Sequence, residues 1–372
     1  MRKVLLLRTS GQLLGAERVI LEVAKYLPDL NYHPIIGVPY ELNHPVPEFA
    51  ETAQKQGYEV ALFPVKSAFD MAALKTIKTF VQDNHVDIIH SHGYREDFYA
   101  LFSKTQAKLV ATNHLWKRTT LKLKLYAALD AHILKRFNAI VAVSEPVKQD
   151  MLEKGIDEQK ITVIANGIDP ANYQPVANAN MLKEALNIPK DHIVIGTLSS
   201  LTVEKGIAHA IAAFAKSKKT LPNIHLLVVG AGEQLDNLIA LTEQYQLTNA
   251  VTFAGRRSDI NNVLNIMDIF ALPSLSEGLP MAMLEAMAAQ KAVIATTVGD
   301  VPKVINKDNG LLVAPGDEEA LANAMVELAS NKNTITSMGK AARQRVVDAF
   351  SSSAMASANV AIYNQLFNEQ SR

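Results

Sequence analysis

Two kinds of apolar pattern alternate along this chain. Short unbroken runs of aliphatic and β-branched residues stand at 4–7, 35–38, 60–63, 88–90, 109–112 and 140–143. Between them, apolar positions recur every three or four residues, as at 16–27 and 71–82. Runs without alternation predict strands covered on both faces, and the intervening periodicity predicts amphipathic helices, so the pattern reads as a parallel sheet wrapped by helices. The rhythm pauses over 169–192, a segment holding Pro170, Pro175 and Pro189, which reads as a linker. It then restarts with strands expected at 193–198, 226–229, 251–253, 269–272, 293–295 and 311–313. A last helical pattern fills 351–367. The expected fold class is α/β, with two Rossmann-like domains and a cleft between them. The first is 1–168, the second 193–350, and the terminal helix 351–372 is expected to return to the first.

Composition narrows the class without naming it. The 372 residues are long for a single core, which favours two domains. The chain has no cysteine, so disulfides and thiolate metal sites are excluded. The apolar run that opens the chain is too short for a signal peptide, and no run approaches the roughly 18 apolar residues of a membrane span. The cytoplasm is the expected location. Lys+Arg and Asp+Glu balance at 37 each, yet eight basic residues lie between Lys104 and Arg136 against the single acid Asp130. Within that segment Leu121, Leu125, Leu129 and Ile133 recur every four residues. Two readings stand for it: a helix packed on its own sheet, or a basic amphipathic helix over 117–137 on an anionic membrane surface.

Chemistry concentrates in the stretch from Ser274 to Ala288. Glu277 and Glu285 stand eight residues apart across a Gly-Leu-Pro turn (Gly278, Leu279, Pro280), with an apolar strand before it and an apolar helix after it. Strand, loop and helix N-terminus is the order in which α/β proteins hold anions. If the segment is helical, the two carboxylates lie about 12 Å apart on one side. That span suits a ligand with hydroxyls at both ends and a diphosphate between, such as a nucleotide-sugar. The competing reading is local, because Ser-x-x-Glu is also a helix-capping pattern. Gly230-Ala-Gly232 follows a strand but has Leu235 at the third glycine position, so a dinucleotide fingerprint is unsupported. No P-loop, Asp-x-Asp metal motif or nucleic-acid motif occurs, and neither metal nor cofactor is expected.

Taken together, several segments resemble glycosyltransferase family 4, the retaining nucleotide-sugar enzymes of the GT-B fold, over almost the whole chain. The resemblance rests on Gly15-Ala-Glu-Arg18, Asp87-Ile-Ile-His90-Ser-His92, Ala111-Thr-Asn-His114, Val141-Ala-Val-Ser-Glu145, Asn166-Gly-Ile-Asp169, Glu204-Lys-Gly206 and the Glu277/Glu285 pair. It implies a catalytic set of Glu277, Lys205 and His114. Glu277 would meet hydroxyls of the donor sugar, Lys205 the departing diphosphate, and His114 the sugar near the reacting carbon, as a positioning group and not a base. Glu285 would accept both ribose hydroxyls, and the amides of Leu279 and Met281 would face the diphosphate, with Pro280 contributing shape only. Gly15 would allow close approach of the backbone to a ligand, and His90 and His92 are weaker candidates for an acceptor pocket. The resemblance further implies a UDP-sugar in preference to a GDP-sugar, a glycan or lipid-linked acceptor, and work at the inner face of the cell membrane.

Two departures stand out. Ser200 occupies the position where the family usually has an arginine, and the loop Gly299-Asp-Val-Pro-Lys303 has Asp300 and Lys303 where glycine and glutamate are usual. Arg256, Arg257 and Lys303 are candidates to replace the missing charge. The departures also motivate a rival reading, a catalytically weak member serving as a binding or scaffold subunit. A GT-B sugar-nucleotide epimerase is a further rival.

Overall fold

The computed structural model describes residues 1–9, 13, 15–67, 69–114, 116, 121–176 and 179–368. The chain divides into unit 1, Met1–Gly167 with Ser352–Arg372, and unit 2, Ile168–Ser351.

Unit 1 runs β1 (Arg2–Leu7), α1 (Gly15–Tyr26), β2 (Tyr32–Glu41), α2 (Glu48–Lys55), β3 (Glu59–Val65), α3 (Met71–Asp83), β4 (Ile88–Ser91) and α4 (Tyr94–Phe102). It continues through β5 (Lys108–Asn113), α5 (Leu121–Leu134), β6 (Ala139–Ala142), α6 (Glu145–Glu153) and β7 (Ile161–Val163). The strands form one sheet in the order β3-β2-β1-β4-β5-β6-β7, and every pair is parallel. Each expected strand of this half is present. The edge strand β7 is an addition, three residues with a threonine in the middle, too short and mixed to stand out as an apolar run.

Unit 2 carries α7 (Ala179–Ala185), β8 (Ile193–Leu198), α8 (Ile207–Thr220), β9 (Ile224–Val229), α9 (Leu235–Gln244), β10 (Val251–Phe253) and α10 (Ile260–Ile266). After these come β11 (Ile269–Leu272), α11 (Met281–Ala288), β12 (Ala292–Thr296), α12 (Val301–Val304), β13 (Gly310–Val313), α13 (Glu318–Ala329) and α14 (Lys332–Ala349). Its sheet order is β10-β9-β8-β11-β12-β13, again all parallel. Strands β9, β11 and β12 are buried along their whole length, which is why, His225 and Thr296 apart, their sequences are apolar without alternation. The segment expected as a linker, 169–192, is instead part of unit 2. It makes a 3-10 turn at Pro170–Asn172 and the helix α7, which packs on α10. Its prolines sit at turn and helix-flank positions, where they do not break structure.

The final helix, α15 (Ser352–Asn368), lies on α1 within unit 1. Tyr32 Oη donates to Asn364 at 2.8 Å, Ser352 Oγ to Glu22 at 2.5 Å, and Tyr363 is wholly buried. No helix among the described residues is long and apolar enough to cross a membrane.

Candidate active site

In unit 2 the strand order reverses between β8 and β11, the point at which open parallel sheets bind ligands beyond the carboxyl ends of their strands. Past β8 the chain makes a 3-10 turn over Val203–Lys205 and enters α8 through Gly206. Gly206 has φ +63°, and a Cβ there would lie 2.1 Å from the Pro273 carbonyl oxygen. The conformation disfavours a side chain and the space excludes one. That close approach joins the loop after β8 to the loop after β11, and Leu275 N–H donates to the Glu204 carbonyl at 2.8 Å. Lys205 Nζ is thereby set 2.8 Å from Glu277 Oε1, and Ser274 Oγ donates to the same oxygen at 2.8 Å. Thr296, at the end of β12, fixes Ser274 in turn by donating to its carbonyl at 2.6 Å.

This geometry decides against the capping reading. Helix α11 begins at Met281 with Pro280 as its N-cap and no side-chain cap, so Ser274 and Glu277 bind each other in the loop. The stretch between the two carboxylates is helical only from Met281 onward, and the axial spacing expected for a continuous helix does not apply. Glu285 is 3% exposed on α11, while Glu277 belongs to the loop with Gly278, Leu279 and Pro280. Gly299, at φ +51°, backs that loop, and a Cβ on it would fall 2.2 Å from the Glu277 carbonyl oxygen and 2.4 Å from that of Gly278. Asp300 N–H donates to Gly278 O at 3.0 Å. The loop uses the main chain of residue 300, so an aspartate there keeps that contact. At the start of α11 the first-turn amides have no helical acceptor, and with the helix dipole they favour an anion.

The candidate replacement cations fare unequally. Arg257 is committed to Asp259 in a two-point pair of 2.8 and 2.6 Å. Lys303 Nζ lies 2.8 Å from Asp300 Oδ1. Ser200 and Arg256 are both exposed.

In unit 1 the strand order reverses between β1 and β4. Arg8, just past β1, donates to Glu17 of α1 at 2.8 Å and to the carbonyl of His92, and Thr9 N–H donates to Glu96 at 2.8 Å. Burial alone would lower the Arg8 pKa, but Glu96 and Glu17 outweigh it and the net direction is up. Gly15 opens α1 and is exposed; Ser10, Gly11, Gln12 and Leu14 lie outside the described residues.

The three histidines singled out from the sequence come together here. His90 and His92 occupy alternate positions at the end of β4, and His114 follows β5. The His90 and His92 rings stack with centroids 4.4 Å apart, and His92 and His114 at 5.6 Å. His92 Nδ1 is 3.3 Å from His114 Nε2. Burial lowers the pKa of His90 and of His114 to about 3, aided at His114 by Arg8 and His90, and puts His92 well below the usual range. All three are neutral at physiological pH.

Sequence reasoning overlooked a further cluster beside them. Asp97 of α4 accepts from Ser91 and shares a hydrogen bond with Asp130 of α5, which accepts from Trp116 Nε1 at 2.6 Å. Desolvation and mutual repulsion hold Asp97 well above the carboxylate range, and desolvation lifts Asp130 to about 6. The only hint was Asp130 as the lone acid of a basic segment.

Helix α5 also corrects the expected apolar stripe. Leu125 and Leu129 are 67% and 46% exposed, while Ala127, Asp130, Ala131, Ile133 and Leu134 are buried. Residues 117–120 lie outside the described residues. Among the described residues no group of three or more metal-ligating side chains is gathered.

Comparison with known proteins agrees with this architecture. Residues 14–172 match the model of Glycosyltransferase Family 4, and residues 179–345 match that of Glycosyl transferases group 1. The chain is 25% identical over 351 residues, 90% of each chain, to the UDP-Gal:alpha-D-GlcNAc-diphosphoundecaprenol alpha-1,3-galactosyltransferase of Escherichia coli. A glycosyltransferase structure from Rickettsia africae superposes with a TM-score of 0.80 at 26% identity, covering 98% of both chains. HepE of Anabaena, solved with UDP and glucose, superposes at 0.84 with 20% identity over 98% of this chain and all of that one, and so shares the fold. With two parallel-sheet Rossmann-like units and a family match on each, the chain belongs to glycosyltransferase family 4, of the GT-B fold, and is a glycosyltransferase.

Proposed function

We propose that this glycosyltransferase is retaining and metal-independent, moving a hexosyl or N-acetylhexosaminyl group from a UDP-sugar to a glycan or lipid-linked acceptor in cell-surface polysaccharide synthesis. The observation that carries this reading is the Lys205–Glu277 pair, set by Gly206 at the switch point beside the open amides of α11. In the proposed reaction the diphosphate takes Lys205 as counter-charge and the α11 amides as donors, so its developing charge is met without a metal. Glu277, released from the lysine, accepts from hydroxyls of the donor sugar, and buried Glu285 accepts from the ribose. The bond from the anomeric carbon to the diphosphate breaks, and the bond to the acceptor oxygen forms on the same face. The acceptor proton passes to the departing phosphate oxygen, so no protein base is required. His114, neutral with a pKa near 3, is suited to holding the sugar and not to taking that proton. The Escherichia coli relative supports a UDP-sugar and a lipid-diphosphate acceptor by its printed activity.

The exposed Leu125 and Leu129, on a helix with exposed Lys124 and followed by exposed Lys135 and Arg136, suit peripheral contact with an anionic membrane at the cytoplasmic face. A second reading, a scaffold subunit, draws on exposed Ser200 and on the commitment of Arg257 to Asp259 and of Lys303 to Asp300. Thermal unfolding with a panel of UDP- and GDP-sugars in EDTA separates them. Free donor at about 100 times Kd stabilises by roughly 2.7 kcal/mol, so one UDP-sugar is expected to raise Tm by a few degrees. No shift with any donor at millimolar concentration would transfer the assignment to the scaffold.

A further inference from the structure

The histidine row of unit 1 extends behind His114 in a way that the proposed chemistry does not use. His90 and Thr112 face the same side of the sheet, and His90 Nε2 lies 2.7 Å from Thr112 Oγ1. On its other side His90 Nδ1 is 2.6 Å from the hydroxyl of Tyr363, on α15. Both His90 nitrogens are therefore occupied, and the ring is fixed from two directions. His92 stacks on that fixed ring, its main chain held by Arg8 at the carbonyl and by Leu7 O at the amide. The remaining polar atoms of His92 are its two ring nitrogens. Nδ1 faces His114 Nε2, and Nε2 is buried without a hydrogen-bond partner among the described residues.

That asymmetry selects a tautomer. The rings are neutral, so one nitrogen of the His92–His114 contact donates and the other accepts. If His114 donated, His92 would carry its proton on Nε2 and leave a buried N–H unpaired. If His92 donates from Nδ1, the unpaired atom is an acceptor, the less costly of the two orphans. His114 then accepts at Nε2 and must carry its own proton on Nδ1.

We infer that His92 is a positioning residue for the transferase reaction: braced by His90 and Tyr363, it donates from Nδ1 to His114 Nε2 and fixes His114 as the Nδ1–H tautomer. The inference rests on the proposal that His114 serves the sugar. It gives the terminal helix a part in that role, since Tyr363 anchors the far end of the row. It also specifies which atom His114 offers, an N–H donor at Nδ1, suited to a sugar hydroxyl or ring oxygen.

Selective 15N labelling of histidine in the full chain tests the tautomer directly, with the His114→Ala spectrum identifying the resonances. His114 is expected as the Nδ1–H form, and His92→Phe should convert it to a mixture or to the Nε2–H form. His92→Asn, whose amide N–H can occupy the place of Nδ1–H, should retain the wild-type tautomer. In turnover, His92→Phe should lower kcat about tenfold or more at unchanged nucleotide Kd. His92→Asn should recover most of that loss, and His92→Phe should add nothing to His114→Ala. An Nε2–H tautomer at His114 in the wild type would overturn the inference, as would a His92→Phe loss that persists undiminished without His114. Should His92→Phe fail to fold, the wild-type spectrum and the asparagine variant still decide. If His114→Ala leaves kcat unchanged while the tautomer is as inferred, the role of His114 in the proposed function fails and the relay geometry stands.

Discussion

At the scale of single residues, the two carboxylates flanking the Gly-Leu-Pro turn divide binding from turnover. Glu277 is held by Lys205 and Ser274 on one oxygen, so its removal leaves the lysine in place but unguided. Glu277→Ala is expected to lower kcat by about one to two orders of magnitude, with nucleotide affinity nearly retained. Glu285 is buried on the helix, and Glu285→Ala should weaken nucleotide binding about tenfold or more, read by calorimetry with UDP. Equal UDP affinity in the Glu285 variant and wild type would reverse the proposed donor orientation. Gly206 supplies a structural counterpart. A methyl group 2.1 Å from a main-chain oxygen, at a backbone conformation that alanine resists, forces the two switch-point loops apart. Gly206→Ala is therefore expected to cost roughly 1–3 kcal/mol and to depress donor binding together with stability. Loss of donor binding at wild-type stability would assign the glycine to ligand approach and not to loop packing.

At the scale of elements, parallel strands were plain in the sequence because burial on both faces leaves an uninterrupted apolar run, as at 226–229 in β9, in β11 and at 292–295 in β12. Helix faces were less plain. Leu121, Leu125, Leu129 and Ile133 keep a spacing of four, whereas the helix turns in about 3.6 residues, so the set drifts by about 40° per step. Ile133 ends inside and Leu125 outside. The buried face is made of small residues and Asp130, which composition cannot mark as interior, because its partners Trp116 and Asp97 come from elsewhere in the chain. The pairing of Lys205 with Glu277 was hidden for the same reason. Each residue was legible as a candidate, but their contact depends on Gly206 pressing against Pro273 some 67 positions away. The corrected face of α5 sharpens the membrane proposal, since the acid is buried while Lys124, Leu125, Ala128, Leu129 and His132 are exposed. Sedimentation with anionic vesicles at low salt should pull down the wild type and lose most of Leu125→Ser/Leu129→Ser. Equal recovery of both proteins, or of neither, would remove this surface from the membrane.

At the scale of the whole molecule, buried titrating groups make stability depend on pH in opposite senses within unit 1. His90 and His114 stay neutral when folded down to about pH 3, and burial holds His92 well below the usual histidine range, but unfolded histidine takes a proton below about 6.5. Between those values the unfolded chain binds more protons, so the histidines lower stability as pH falls. Asp97 and Asp130 act the other way. Folded, Asp130 keeps its proton to about pH 6 and Asp97 holds its own well above the usual carboxylate range, while unfolded carboxyls release theirs above about 3.9. At pH 5 three histidines oppose two carboxyls, leaving a net uptake of one proton on unfolding. Stability should then fall by about 1.4 kcal/mol for each pH unit on acidification. Above about pH 6.5 the histidine contribution vanishes, so the rise of stability with pH is expected to level off there. Trp116 is the chain's one tryptophan and is buried in unit 1 against Asp130, so its fluorescence isolates this unit's transition in urea. Asp130→Asn removes one opposing proton and should steepen the acid slope. A slope of the opposite sign between pH 4.5 and 6 would mean that the carboxyl pair, and not the histidine row, dominates the titration of the unit.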